Sequence, residues 1–183
     1  IGEPLNIDLQ EDIRTPLPSK VGPVELATIS FGQGISTNSM QMVRAISAIA
    51  NNGVIMKPYI VRSVYDPQTR EEIVYEPQEL RRVIKPETAK TMTQMMIHSA
   101  SRYPSWINQS YQVAGKSGTS QIPSKSGGYQ EWGTIASYVG FAPADNPKFV
   151  MLVKLTEPKI DPWGETTAVP IWYDVAEKIL LRL

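Results

Sequence analysis

The sequence contains no cysteine and a single histidine, His98. The lack of cysteine excludes disulfide bridges, cysteine-ligated zinc and iron–sulfur sites, and a thiol nucleophile. Histidine metal sites usually need two or three imidazoles, so one histidine gives no basis for such a site. We therefore expect no metal and no cofactor, and we interpret His98 as a packed or surface residue of a helix.

A long apolar run and an excess of one charge are also missing. Lys and Arg together number 18, Asp and Glu also number 18, and the isoelectric point is about 6.8. This balance provides no field to hold nucleic acid or an anionic membrane surface. No stretch approaches the ~20 apolar residues of a membrane span, and the N-terminus lacks the features of a signal peptide. If the parent protein is exported, we expect its signal upstream of residue 1.

The composition that is present is typical of one globular domain. The chain has 183 residues, of which 42% are hydrophobic and 20% are charged. These values disfavour intrinsic disorder and a coiled coil, and the length leaves little room for a second domain. Four prolines lie among charged residues within positions 1–25. We therefore predict that residues 1–30 form an extended or looped lead-in segment rather than a helix.

Apolar spacing and proline positions predict three helices. They cover residues 38–52, 87–101 and 171–183. Asn38 is suited to cap the first of these helices, and Gly53 is suited to end it. In each helix the apolar side chains recur on one side, so we expect that side to pack against a core.

Strand-like runs predict a hairpin and a sheet. Residues 59–75 are β-rich on either side of a turn at 67–70, which is typical of a hairpin outside the main sheet. Three further strands are predicted at residues 111–120, 134–142 and 149–155. Their connections are short or contain Gly and Pro, so we expect antiparallel pairing. The predicted fold class is α+β, an antiparallel sheet flanked by helices, with helices and hairpin in 31–110 and the sheet and last helix in 111–183.

Aromatic and methionine side chains are expected in the core. Near the C-terminus, the sequence places Trp163, Trp172 and Tyr173 where they can pack the last helix on the sheet. Methionines at helical spacing are interpreted as core filling rather than as a ligand site. These are Met40, Met42, Met92, Met95 and Met96.

The segment of greatest chemical interest reads Val-Ala-Gly-Lys-Ser-Gly-Thr-Ser at residues 113–120. A phosphate-binding P-loop would need a glycine six residues before the lysine and a helix after it. Ser110 occupies the position of that glycine, and Pro123 follows where the helix would run. We therefore reject a nucleotide site.

On a strand, the same segment predicts a binding edge. Because side chains alternate, the hydroxyls of Ser117 and Thr119 would face one way and Lys116 the other. Two hydroxyls in a positive field can bind a carboxylate, and Gly118 permits a close approach of the backbone. The Thr119 N–H would be available to a developing oxyanion. A second Lys-Ser-Gly, at residues 125–127, is interpreted as a loop.

Five other segments accompany this one in a consistent order along nearly the whole chain. They are 30–34 (Ser-Phe-Gly-Gln-Gly), 48–53 (Ala-Ile-Ala-Asn-Asn-Gly), 137–144 (Ser-Tyr-Val-Gly-Phe-Ala-Pro-Ala), 155–158 (Leu-Thr-Glu-Pro) and 168–170 (Ala-Val-Pro). With residues 111–121, they resemble the C-terminal half of the transpeptidase domain of class B penicillin-binding proteins. The resemblance implies the penicillin-binding and serine β-lactamase-like fold.

The resemblance also implies a function. Members of the family are serine acyltransferases that cross-link peptidoglycan by attacking a D-Ala-D-Ala stem peptide, and β-lactams acylate them as substrate mimics. It implies that the substrate-binding residues are Lys116, Ser117, Gly118 and Thr119. Lys116 would supply positive charge, and Lys116 and Thr119 would take part in catalysis. The implied partners are the upstream half of the domain and envelope proteins of division or elongation. The implied location is outside the cytoplasmic membrane, with an anchor on a segment absent from this chain.

The sequence departs from the family pattern in the nucleophile. No Ser-x-x-Lys occurs, and the nearest form, Thr156-Glu-Pro-Lys159, is rejected because it lies in a proline-containing loop. A literal Ser-x-Asn at residues 36–38 is interpreted as a helix cap rather than as the middle family motif. Without an activated nucleophile no acyl-enzyme forms, so we expect this chain alone to be inactive.

Two other functions remain open at this stage. A binding or sensor module would keep the carboxylate pocket but lack acyl transfer in the intact protein as well. A structural fragment would instead serve to bind partners in the cell envelope. Covalent labelling of the intact protein by a fluorescent penicillin separates the enzyme from the module, and capture of envelope partners independent of Lys116 and Ser117 identifies the fragment.

Overall fold

A computed structural model describes residues 2–8, 14–15, 20–103, 110–124 and 126–183, leaving out the side chains of Glu131 and Trp132. Four helices and seven strands lie within these described ranges. The helices are α1 (Pro23–Ser30), α2 (Ser39–Ala50), α3 (Pro86–Ala100) and α4 (Ala168–Leu180). The strands are β1 (Val54–Met56), β2 (Ser63–Tyr65), β3 (Glu72–Val74), β4 (Glu79–Arg82), β5 (Ala114–Pro123), β6 (Tyr129–Ala142) and β7 (Phe149–Thr156).

The main sheet is antiparallel and has the strand order β5-β6-β7. Its register places Ser117 opposite Tyr138 on β6, and Tyr138 in turn opposite Val153 on β7. The predicted α+β class with an antiparallel sheet is therefore confirmed. Strand β5 keeps the predicted length of ten residues but is shifted from 111–120 to Ala114–Pro123, β6 begins at Tyr129 rather than at 134, and β7 ends one residue later than predicted. The ladder between β5 and β6 continues as far as the pair Pro123 and Tyr129.

One face of the sheet packs against α4 through an aromatic cluster. Trp172 and Tyr173 of α4 contact Tyr138 of β6, with ring centroids 5.3 Å and 6.1 Å apart. The indole N–H of Trp172 donates a hydrogen bond to the Met151 carbonyl at 2.9 Å, so its polar group stays paired although the side chain is buried. This cluster fixes the helix on the middle strand of the sheet.

The opposite face packs against α2 and α3. Met96 of α3 joins Ala114 and Phe141 of the sheet in a second buried cluster, and Ile46 and Ile49 of α2 pack against it. The sheet is therefore covered on both faces, and its two clusters meet at β6, where Tyr138 and Phe141 are both fully buried.

The predicted lead-in is wrong for residues 23–30, which form helix α1. Pro23 is the first helical residue, where its fixed φ angle and missing N–H are tolerated. The Glu25 carboxylate accepts a hydrogen bond from the Gly22 N–H at 3.0 Å and so caps the start. A proline therefore excludes a helix only where it would fall in the helix interior, and Pro23 does not. Residues 2–8, 14–15 and 20–22 contain neither helix nor strand, and positions 9–13 and 16–19 of the predicted segment lie outside the described residues.

The predicted ends of α2 are confirmed. The Asn38 side chain accepts a hydrogen bond from the Gln41 N–H at 2.8 Å, so residues 36–38 provide a helix cap. After the helix, Gly53 has a φ angle of +88° and donates its N–H to the Ala48 carbonyl at 2.6 Å. A Cβ on Gly53 would overlap the Ile84 carbonyl oxygen. Only glycine fits this turn without strain.

Helix α4 begins at Ala168, three residues before the predicted start at position 171. The predicted bounds place Pro170 just before the helix. Pro170 instead lies within the first turn, where an N–H would have no partner inside the helix. The first helical residues, Ala168 and Val169, direct their N–H groups to the Gly164 carbonyl, each at 3.0 Å.

Strands β2 and β3 form the predicted hairpin, in a two-stranded sheet of its own. Val64 lies opposite Ile73, and the Asp66 carboxylate accepts the Gln68 N–H at 2.8 Å in the turn. Strands β1 and β4 form a second small antiparallel pair that the sequence reasoning missed. These strands have three and four residues, which is too few to show a period.

Several side chains expected in the core are exposed. Trp172 and Tyr173 pack as predicted, but 59% of Trp163 is exposed. Of the five methionines, Met96 alone is buried, and 61% of Met95 is exposed. His98 lies exposed in the last turn of α3. Within the described residues, we find no helix with the length and apolar character needed to cross a membrane.

We predict that Gly53→Ala destabilises the protein more than Gly32→Ala does. Both glycines have φ near +90°, but a Cβ on Gly32 has no neighbour within 4 Å. Gly32→Ala should therefore cost only the backbone term of about 1 to 2 kcal/mol. Gly53→Ala should add a steric cost of roughly 1 to 3 kcal/mol. Urea unfolding measures both changes, and equal changes would contradict the proposed overlap with Ile84.

Candidate active site

The site predicted from sequence lies on β5, at the border of the described sheet. Within the described sheet, β6 is the one strand that pairs with β5, so the other edge of β5 carries no strand. In an antiparallel pair, the backbone groups of a border strand point alternately toward its partner and away from it. Half of the N–H and C=O groups of β5 therefore face this open edge.

The predicted alternation of side chains is present. Ser117 and Thr119 lie opposite Tyr138 and Ala136, on the face that packs against α4. Lys116 and Gly118 share the other face with Ala114, which belongs to the cluster under α2 and α3. The two hydroxyls and the ammonium group thus lie on opposite sides of a single strand, within four consecutive residues.

Lys116 presents an exposed side chain. Its Nζ donates a hydrogen bond to the Ser117 carbonyl at 2.6 Å. No carboxylate of the described residues lies within ion-pair distance of this ammonium group. Among the described residues, this charge therefore has no ion-pair partner.

The hydroxyls of Ser117 and Thr119 each accept a hydrogen bond from a fixed protein group. The Tyr103 hydroxyl donates to Ser117 Oγ at 3.0 Å, and the Gly164 N–H donates to Thr119 Oγ1 at 3.0 Å. A hydroxyl that accepts one bond still has its own proton to donate. Both motif side chains are half-buried, so they are held in place yet remain accessible.

Gly118 keeps the strand open between these residues. A Cβ at this position would approach only Ser137 Oγ, at 2.8 Å, which is the end of a side chain that can rotate. The same Ser137 hydroxyl donates to the Gly118 carbonyl at 3.3 Å. The absence of a side chain here leaves room for a ligand backbone to come close to the strand.

Gly164 connects the motif to α4, and sequence reasoning missed it. Its N–H reaches Thr119, while its carbonyl accepts the N–H groups of Ala168 and Val169 at the start of the helix. Gly164 is buried, and a Cβ here would overlap the Gly118 carbonyl and lie 2.6 Å from the Ser137 carbonyl oxygen. Its position 45 residues from Thr119 gives no sequence signal for the contact.

Tyr138 lies next to the motif on β6, directly opposite Ser117. Its hydroxyl lies where a Cβ on Gly115 would be, so Gly115 cannot carry a side chain without displacing the ring. Burial raises the pKa of the Tyr138 phenol above its usual range, and the neighbouring Tyr173 and Tyr103 add to the shift. The phenol therefore remains neutral on the face that carries the two motif hydroxyls.

The other sequence candidates do not join the site. Residues 36–38 cap α2, and Thr156 ends β7 before Glu157 turns with a φ angle of +51°. Gly127 lies in the turn between β5 and β6, while Lys125 lies outside the described residues. Within the described ranges, no cluster of three or more His, Cys, Asp or Glu side chains could hold a metal ion.

Comparison with known proteins decides the family. The family described as penicillin binding protein transpeptidase domain matches residues 1–177. The chain belongs to this family. Stage V sporulation protein D of Bacillus subtilis is 38% identical over 178 residues, which are 93% of this chain and 27% of that protein. Penicillin-binding protein PbpB of Mycolicibacterium smegmatis is 30% identical over 199 residues, covering 100% of this chain and 30% of that protein.

Solved structures of the transpeptidase family share the fold over the whole chain. Penicillin binding protein 3 of Mycobacterium tuberculosis, complexed with ampicillin, is 27% identical with a TM-score of 0.88 and is covered to 43%. A peptidoglycan synthetase from Bifidobacterium adolescentis is 30% identical with a TM-score of 0.84 and is covered to 33%. Both comparisons cover 100% of this chain. The chain thus spans less than half of these relatives.

We predict that Gly164→Ala destabilises this transpeptidase fold by roughly 1 to 3 kcal/mol, because its Cβ would meet backbone atoms that cannot move aside. Gly22→Ala is the matched control, since its Cβ would meet only the end of the flexible Glu25 side chain. The control should cost less, roughly 0.5 to 1 kcal/mol, because alanine is a poorer helix N-cap than glycine but its Cβ meets no backbone atom. Thermal unfolding compares the two variants, and an unchanged midpoint for Gly164→Ala would contradict the packing described.

Proposed function

We propose that the chain is the C-terminal part of a serine-type peptidoglycan D,D-transpeptidase, which cross-links stem peptides through an acyl-enzyme and reacts with β-lactams. The observation that carries this proposal is the arrangement on β5. Two hydroxyls lie on one face of the open edge strand, and Lys116, whose charge has no ion-pair partner among the described residues, lies on the other face of the same strand. The terminal carboxylate of a peptide is the ligand that such a set of donors fits.

The residues of this chain would bind and polarise rather than attack. The hydroxyls of Ser117 and Thr119 would donate to the substrate carboxylate, and Lys116 would supply the positive field. Gly118 would let the peptide backbone lie against the strand. The Thr119 N–H would stabilise the oxyanion, and loss of one such donor typically costs about 2.7 to 4 kcal/mol of transition-state stabilisation.

The nucleophile would come from polypeptide upstream of residue 1. The chain has no Ser-x-x-Lys, so we expect it to form no acyl-enzyme when isolated. In the complete domain, the upstream serine would add to the carbonyl carbon of D-Ala-D-Ala and expel the terminal D-Ala, leaving an acyl ester. An amine of a second stem peptide would then displace the serine. A β-lactam would acylate the same serine by opening its ring.

Exposed apolar residues at α1 are consistent with packing of the upstream half. No residue of α1 is buried, and Val24, Leu26 and Phe31 are each at least 65% exposed. Apolar side chains this exposed and this close together favour a contact with another part of the protein. We propose that the upstream half of the transpeptidase domain covers them. We further propose that the parent acts outside the cytoplasmic membrane and works with division or elongation proteins of the envelope.

In the complete protein, we predict that Lys116→Ala lowers the rate constant of acylation by fluorescent penicillin by at least about tenfold, because a site that binds a carboxylate loses its cation. The fold should survive because the Lys116 side chain is exposed. Lys154→Ala is the matched control, since this exposed lysine lies on the same face but on β7, across the sheet from β5. Its acylation rate should match that of the wild type.

Unchanged acylation of Lys116→Ala would remove this residue from the site. If the wild-type complete protein, carrying Ser-x-x-Lys upstream, takes up no label at all, the alternative of a non-catalytic binding or sensor module is favoured instead. A gel-based time course with purified protein, read together with thermal unfolding of each variant, distinguishes these outcomes from a simple loss of folding.

A further inference from the structure

Tyr103 is the one side chain in the described residues that donates a hydrogen bond to Ser117 Oγ. It lies just beyond α3, where its N–H donates to the Ala100 carbonyl at 3.0 Å. Its ring meets that of Tyr138 edge to face, with centroids 5.8 Å apart and planes at 87°. Tyr103 is 93% buried, so the aromatic cluster and the backbone contact together fix the position of its hydroxyl.

The direction of this hydrogen bond matters for carboxylate binding. A serine hydroxyl has one proton and two acceptor positions, whereas a carboxylate only accepts. A phenol is more acidic than an aliphatic alcohol and is therefore the better donor of the pair. When Tyr103 donates to Ser117, the Ser117 hydroxyl proton is not used in this bond and can be donated to a ligand. If the direction were reversed, Ser117 could offer a carboxylate only its lone pairs.

The neighbouring hydroxyl is held in the same way. Thr119 Oγ1 accepts its bond from the Gly164 N–H, and a backbone N–H can only donate. Both motif hydroxyls thus receive one bond from a donor that the fold places at 3.0 Å. Each hydroxyl therefore keeps its own proton, and the two protons can be donated to the two oxygens of one carboxylate.

We propose that Tyr103 is a positioning residue, which orients the Ser117 hydroxyl as a donor to the carboxylate of the stem peptide or β-lactam. The proposal rests on the transpeptidase function proposed above and adds to it a residue outside the Lys-Ser-Gly-Thr strand. Tyr103 itself would not touch the substrate. In the competing orientation, Ser117 would donate its proton to Tyr103. By acting as the donor, Tyr103 would exclude that orientation before the ligand binds, which is preorganisation of a binding group.

The test replaces Tyr103 by phenylalanine in the complete protein. This change removes one hydroxyl and keeps the ring in the cluster. We expect the second-order rate constant for acylation by benzylpenicillin to fall about fivefold, the effect of about one hydrogen bond. Tyr173→Phe is the matched control, because Tyr173 belongs to the same cluster and is equally buried, but its hydroxyl donates to the Ala100 carbonyl, at 3.4 Å, rather than to the motif. The control should acylate within twofold of the wild type.

Two further measurements separate positioning from a general structural effect. In a Ser117→Ala background, Tyr103→Phe should have no additional effect on acylation, because the group it orients is gone. With benzylpenicillin methyl ester, which lacks the free carboxylate, wild type and Tyr103→Phe should react at equal rates. A fivefold loss that persists in either experiment would overturn the proposal, as would wild-type acylation of Tyr103→Phe.

A rescue experiment covers the case in which Tyr103→Phe folds poorly. Incorporation of 4-aminophenylalanine at position 103 restores an N–H donor at the same point, so acylation should return to within twofold of wild type. Failure of this variant to recover the rate, with an unfolding midpoint equal to that of wild type, would contradict the proposal. Failure of the proposed function looks different, because the wild-type protein would then show no acylation at all.

Discussion

The pairing of β5 with β6 is the constraint on which the rest of the structure depends. It places Ser117 opposite Tyr138 on the neighbouring strand. The ring of Tyr138 packs against Trp172 and Tyr173 of α4. Because the side-chain period of a strand is two, a slip of one residue in this register would turn both hydroxyls away and bring Lys116 onto the aromatic cluster. Packing of the buried aromatic rings therefore determines which side chains of the partly exposed edge strand β5 face which side of the sheet.

The candidate site draws on elements that are distant in sequence. Tyr103 follows α3, the Lys-Ser-Gly-Thr residues lie on β5, and Gly164 precedes α4. Each contributes one hydrogen bond or one charge within a small region. The aromatic cluster supports them all, since Tyr103 and Tyr138 pack on each other and Gly164 begins the turn into the helix that carries Trp172. Side chains on rigid elements hold binding groups more precisely than free loops do.

Much of the fold and the motif strand could be predicted from sequence, because both rest on local periodicity. The helix at Ser39–Ala50 shows its cap at Asn38, and alternation alone put Ser117 and Thr119 on one face. Long-range contacts could not be predicted. The sequence spacing of Tyr103 and Gly164 does not predict that they donate hydrogen bonds to Ser117 and Thr119. Helix α1 could not be predicted either, because a proline can start a helix as well as end one, and Pro23 starts α1.

The contact between Gly164 and Thr119 has an evolutionary consequence. Its donor is a main-chain amide, which every amino acid except proline possesses, so the bond does not depend on any functional side chain in the connection between β7 and α4. Exposed neighbours such as Ile160 and Trp163 can therefore change during evolution without loss of the hydrogen bond from the Gly164 N–H to Thr119. A search for invariant polar side chains would overlook this connection, although it supports the motif as directly as a catalytic neighbour would.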